Sequence, residues 1–286
     1  MSGTTGALIR HPPINVGAVV RRSYRHVAED FLPLLAVSLS AALVLGVAEL
    51  VLTGAAYALF GDDPKPADFS SGYGLILSVA AFGIGVLRYL LMVAVAVHWH
   101  RSILVAEHSW RNMAIGLREG RYLVWLFAWF VAFAVVIILV YSTLGYLGSD
   151  FRISDWLGDR PGASLVQLLI AVAVYAVLVA PFYVAALVLP AKAVDEKGFG
   201  FVSALRLTRG NFWRIAAASL FFKPPIIVLI LFTFGVAHLI PEGGAVVRFF
   251  LSVAVDTATF VWICLEAGFL SFVYQALRDN AVPAER

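Results

Sequence analysis

Apolar positions along this chain run in long unbroken blocks, and short polar joints divide them into a succession that occurs three times. Each round begins with a segment in which apolar and cationic residues recur at helical spacing. An apolar stretch follows, then an outer turn, then a second apolar stretch. The starts can be laid over one another: Gly17–Leu35, His108–Leu126 and Gly198–Ala216 align at offsets of about 91 and 90 residues. Arg25 and Phe31 of the first round match Arg206 and Phe212 of the third, while Ala114, Leu117 and Gly120 of the second match Ala204, Leu207 and Gly210. The pattern divides one integral membrane domain, 1–286, into repeats at approximately 14–107, 108–197 and 198–278.

Spanning about 30 Å of hydrocarbon takes roughly 20 apolar residues as helix. Six such spans are expected: Leu32–Leu59, Leu75–Val97, Tyr122–Leu147, Leu165–Leu189, Ile215–Ile240 and Ala245–Leu277. A barrel is excluded, because the blocks are continuously apolar rather than alternating in segments of ~10 residues. The predicted fold class is therefore all-α: a polytopic bundle of six transmembrane helices, built from three repeats of an amphipathic elbow helix plus a helical hairpin.

The elbows carry the cations. In the first, Val16, Val19, Val20 and Val27 form an apolar stripe opposite Arg21, Arg22 and Arg25. In the second, Trp110, Met113, Ala114 and Leu117 oppose Arg111, Arg118 and Arg121. In the third, Phe201, Leu205, Thr208 and Phe212 oppose Arg206 and Arg209. A helix lying in the membrane interface has this division, apolar side toward the acyl chains and cationic side toward anionic headgroups. Two readings stand side by side: topogenic charge that fixes orientation, or a headgroup or anionic-ligand site formed by Arg21, Arg25, Arg118, Arg121, Arg206 and Arg209.

Composition agrees with a membrane location: 61% of residues are hydrophobic and 14% charged, against roughly 25% charged in soluble domains. The net charge of +3 hides a strong asymmetry. Arg10, Arg21, Arg22, Arg25, Arg101, Arg111, Arg118, Arg121, Lys192, Lys197, Arg206, Arg209, Arg214, Arg278 and Arg286 fall on one set of surfaces, and only Lys65, Arg152, Arg160 and Arg248 on the other. By the positive-inside rule both termini are cytoplasmic. A bacterial inner (plasma) membrane is the expected location, with the first span acting as its own insertion signal. Basic residues hug the membrane face, which points to phospholipid partners and away from nucleic acid.

Five charged residues fall inside the spans: Glu49, Arg88, Lys223, Asp256 and Glu266. A charge at the centre of a membrane helix costs roughly 2.5–3.5 kcal/mol on insertion scales, so each requires a partner or a wet cavity. Counting from the cytoplasmic edge puts Arg88, Lys223 and Glu266 in the inner half, Glu49 and Asp256 in the outer half. Lys223 and Glu266 are expected to pair, with Arg88 close by. Pro224 and Pro225 follow Lys223, and Pro181 interrupts the fourth span; broken helices beside buried charge also occur at transporter midplanes. The pair either fixes helix register or lines a polar pocket. His98 and His100 flank Trp99 at the inner end of the second span and suit interfacial anchoring rather than a shared metal.

Enzyme signatures are absent: no GxSxG, HExxH, P-loop or dinucleotide glycine fingerprint occurs. Cys264 is the single cysteine, so no cysteine metal cluster is available. The expectation is a protein that is not an enzyme and uses no metal or cofactor.

The stretch Ser203-Ala-Leu-Arg-Leu-Thr-Arg-Gly-Asn-Phe-Trp-Arg214 resembles the bacterial membrane domain that accompanies some glycerophosphoryl diester phosphodiesterases. It is also similar to related uncharacterised six-span inner-membrane families. The likeness extends more weakly over about residues 14–278. It implies an all-helical inner-membrane bundle with elbow helices; phosphodiesterase activity in such proteins resides in a separate soluble barrel, and the resemblance assigns no catalytic residue here. The expected function is binding or moving a lipid-like or small anionic molecule. The alternative is a structural or regulatory membrane partner without a ligand, acting with another protein or a second copy of itself.

Overall fold

The computed structural model describes residues 13–61, 72–107, 116–146, 181–228, 231, 235 and 245–281. It is all-helical, and no strand occurs among the described residues. In chain order the helices are α1 (Val16–Glu29), α2 (Phe31–Phe60), α3 (Gly72–Leu104), α4 (Leu117–Tyr146), α5 (Val188–Ala193), α6 (Phe201–Leu207), α7 (Phe212–Phe222) and α8 (Ala245–Ala281). Among the described residues, four contain segments long and apolar enough to cross a membrane: Phe31–Phe60, Gly72–Leu104, Leu117–Val136 and Val246–Asp279. This is a multi-pass helical membrane protein. In hydrocarbon each backbone polar group must be satisfied within the segment, which leaves the helix as the form such sequences adopt. Leu75, Ile76, Val79 and Phe82 of α3 accordingly stay exposed, as lipid-facing side chains do.

The described helices depart from the expected spans in several places. Most of Leu165–Leu189 and part of Ile215–Ile240 lie outside the described residues. So do residues 108–115 of the second elbow, including Arg111. Within the fifth expected span the helix is interrupted at the prolines noted in the sequence: α7 stops at Phe222, Lys223 sits in a bend, and helical structure resumes at Pro224. The two prolines account for this. Neither has an N–H to donate, and the residue before a proline is pushed out of the α region. Arg118 and Arg121 belong to the first turns of α4 itself, which runs unbroken from Leu117.

The residues separate into two compact units. One comprises Met1–Arg21, Gly120–Phe222 and Phe269–Arg286; the other comprises Arg22–Glu119 and Lys223–Gly268. In the first, Phe222 stacks on Phe269 with ring centroids 4.7 Å apart, and Tyr183 meets Phe269 edge-on at 5.7 Å. Trp129 donates its indole N–H to the Phe182 carbonyl at 2.8 Å.

In the second, α2 packs against α3, and α8 approaches both through glycine-sized gaps. A Cβ at Gly46 of α2 would come within 2.6 Å of Val253 Cγ2, and one at Gly268 of α8 within 3.1 Å of Trp99 Nε1. The C-terminal end of α3 is enclosed: Val93 through His100 are all buried, and the His26 ring of α1 lies 5.0 Å from that of Trp99. His98 and His100 are therefore core residues, not the interfacial anchors expected of them.

Candidate functional site: membrane-depth charges and the elbow cations

Every charged residue expected at membrane depth lies in the second unit, and the structure divides them into two groups. Lys223, at the break after α7, donates to Glu266 of α8. Glu266 also accepts from the Trp262 indole N–H at 3.0 Å, one helical turn away. Both side chains are about 20% exposed. The break positions Lys223: its carbonyl accepts from Ile227 N–H at 3.0 Å, which restarts the helix beyond the prolines.

Arg88 does not join this pair. Its Nη2 donates to Glu49 Oε1 of α2 at 2.5 Å and to Asp256 Oδ2 of α8 at 3.0 Å, while Ser252 Oγ donates to Glu49 Oε2 at 2.5 Å. The sequence count put Arg88 near Lys223 and Glu266 because it ended the span at Val97, whereas α3 continues to Leu104. With its C-terminal end enclosed, α3 has Arg88 at its midpoint, beside the acids of its neighbours. The polar face of α8 that supplies acids to both groups was present in the sequence. Ser252, Asp256, Thr259 and Glu266 recur at i, i+4, i+7 and i+14, which puts them along one face of α8.

The elbow cations also separate. Arg25 pairs with Glu29 at 2.7 Å, Arg121 with Asp195 at 3.3 Å, and Arg118 lies in the electrostatic field of Glu107. That carboxyl is held below its usual range chiefly by a hydrogen bond from Arg101. Arg21, Arg206, Arg209 and Arg214 are exposed and form no ion pair with another described residue.

Local sequence shapes the third elbow. Thr208 turns its hydroxyl back onto the Ala204 carbonyl at 3.0 Å as α6 ends. Gly210 takes φ +83° in the left-handed region that a side chain would strain. Buried Asn211 accepts the Ile14 N–H at 3.0 Å, tying the turn to the N-terminal segment. Of the stripe expected to face the acyl chains, Leu205 is exposed, Phe201 and Phe212 are half-buried and Thr208 is buried. Ala204 is buried as well, while Leu205 faces outward with Val202 and Trp213, the last 65% exposed. Exposed apolar groups thus stand among Arg206, Arg209 and Arg214.

Tyr24 of α1 lies within the electrostatic influence of Glu266. Burial, and then the negative charge of Glu266, push its phenol up to about 12. Among the described residues no group of three or more His, Cys, Asp or Glu side chains is arranged to hold a metal ion. No protein-family model, curated protein or solved structure matches the chain. Function rests on the geometry.

Proposed function

We propose that this is a six-span, three-repeat protein of a bacterial inner membrane, with cytoplasmic termini, which binds or moves a lipid-like or small anionic molecule at its elbow cations and performs no enzymatic chemistry. The repeat reading is supported by burial as well as sequence. At the offset relating the first and third rounds, α2 begins at Phe31 and α7 at the matching Phe212. Ser23, Val27, Leu34, Ser38 and Leu45 are buried, and so are their counterparts Ala204, Thr208, Ile215, Ser219 and Ile226.

The functional reading rests on one observation: Arg206, Arg209 and Arg214 are exposed without ion-pair partners among the described residues, beside exposed Val202, Leu205 and Trp213. Guanidinium groups forming bidentate hydrogen bonds suit phosphate, and apolar side chains beside them suit the acyl boundary.

Each cation near an anionic surface contributes about 1 kcal/mol. Replacing all three by Gln therefore removes about 3 kcal/mol, on the order of a hundredfold in affinity. The triple variant should lose copurifying anionic phospholipid while its helical content and melting temperature hold. Unchanged lipid content in a folded variant would return these arginines to a purely topogenic role. A structural or regulatory protein without a ligand is the second reading, favoured by the Lys223–Glu266 pair, which ties the break after α7 to α8 as a register-fixing contact would.

A further inference from the structure

The Glu49–Arg88–Asp256 cluster holds two carboxyl groups against one guanidinium, and both lean on the same nitrogen. Arg88 Nη2 is 2.5 Å from Glu49 Oε1 and 3.0 Å from Asp256 Oδ2, so those two oxygens are at most 5.5 Å apart. Arg88 Nε is buried and finds no acceptor, so the guanidinium does not spread its donors over the two acids. Fully ionised, the cluster would carry one uncompensated negative charge at membrane depth, which the surroundings solvate poorly. The other charged group near it on α8 is Arg248, two turns toward the helix N-terminus; it is exposed and pairs with no described residue. The facing elements supply Glu49 from α2, Arg88 from α3, and Ser252 and Asp256 from α8.

We propose that this cluster is a proton-binding site, holding one proton on Asp256 at neutral pH. The two acids are not equivalent. Glu49 accepts two hydrogen bonds, from Arg88 and from Ser252 Oγ, and donors aimed at a carboxylate favour its charged form. Asp256 accepts one, from Arg88, and makes no other hydrogen bond with a described residue. Its side chain is also the more enclosed, 7% exposed against 31% for Glu49. A proton taken from water onto Asp256 leaves Glu49 and Arg88 as a neutral pair. Because the partners come from α2, α3 and α8, proton binding and the mutual placement of these helices are thermodynamically linked. This inference does not depend on the elbow reading.

The test is infrared spectroscopy of the full-length protein in phosphatidylglycerol–phosphatidylcholine vesicles at neutral pH, read at the carbonyl stretch of protonated carboxyl side chains. One such band is expected. Carboxyl-¹³C aspartate should shift it to lower frequency, and ¹³C-labelled glutamate should leave it in place; both use the unaltered chain, so no folding defect can intervene. Asp256→Asn should remove the band. Glu49→Gln should remove it too, because Arg88 then neutralises Asp256 alone. Absence of the band in the unaltered protein, a shift with labelled glutamate only, or persistence in either variant would overturn the assignment.

Discussion

Replacing Lys223 by Ala takes the ammonium partner from the Glu266 carboxylate, and replacing Glu266 by Ala takes the carboxylate partner from the Lys223 ammonium. Breaking a buried pair from one side typically costs about 3–5 kcal/mol. Both side chains are about 20% exposed, which favours the lower end of that range. After Lys223→Ala, Glu266 keeps the Trp262 N–H at 3.0 Å, so about 3 kcal/mol is expected. Glu266→Ala also leaves the Trp262 donor without that acceptor, and an unsatisfied buried donor adds about 1 kcal/mol or more; its loss should reach about 4 kcal/mol. The double variant leaves neither charge facing a missing partner, so it should cost less than Glu266→Ala alone and at least about 3 kcal/mol less than the single losses together. Reversible denaturant unfolding of the four proteins in one detergent measures all of these values. Single losses that add to within about 0.5 kcal/mol would refute a coupled pair.

Three further outcomes follow from the same geometry. Gly46→Ala should destabilise the protein by about 1–3 kcal/mol through overpacking against Val253, whereas Gly83→Ala, with nothing within 4 Å of the added carbon, should not; thermal melts compare them. Tyr24 ionises in the unfolded chain near pH 10 but in the folded protein only near 12. The folded state thus retains a proton that the unfolded state has lost, and stability falls as pH rises through that window. Tyr24→Phe should flatten that fall, measured by unfolding at a series of alkaline pH values. Cysteines placed at Asp63 and Asp155 in a Cys264→Ala background should react with an impermeant reagent from outside the cell; labelling only from the cytoplasmic side would invert the proposed orientation.

What could be read from sequence was local or periodic. Phe31 and Phe212 stand at the heads of two helices because each repeat changes there from amphipathic to continuously apolar. The Lys223–Glu266 pair followed from depth and a short connection between spans. Arg88 did not, because its depth depends on where α3 ends, and α3 ends late where α1 and α8 cover it. His98 and His100 were misjudged for the same reason. Enclosure by His26, on a helix about 70 residues earlier, and close approach at Gly268 are non-local packing that a window of hydropathy does not register. The α8 polar face was legible at its helical period, but four residues spread over 15 positions are diluted by the apolar residues between them.

Trp213 offers the most direct measurement of the account's central claim, since it stands exposed beside Arg206, Arg209 and Arg214. Its emission, taken as the difference between the protein and Trp213→Phe, can be recorded in bilayers where either the anionic or the zwitterionic lipid carries quenching bromine atoms. A headgroup site at this elbow predicts stronger quenching by brominated phosphatidylglycerol than by brominated phosphatidylcholine at equal mole fraction, and equal quenching once the three arginines are replaced by Gln. Equal quenching by the two lipids in the unaltered protein would contradict it.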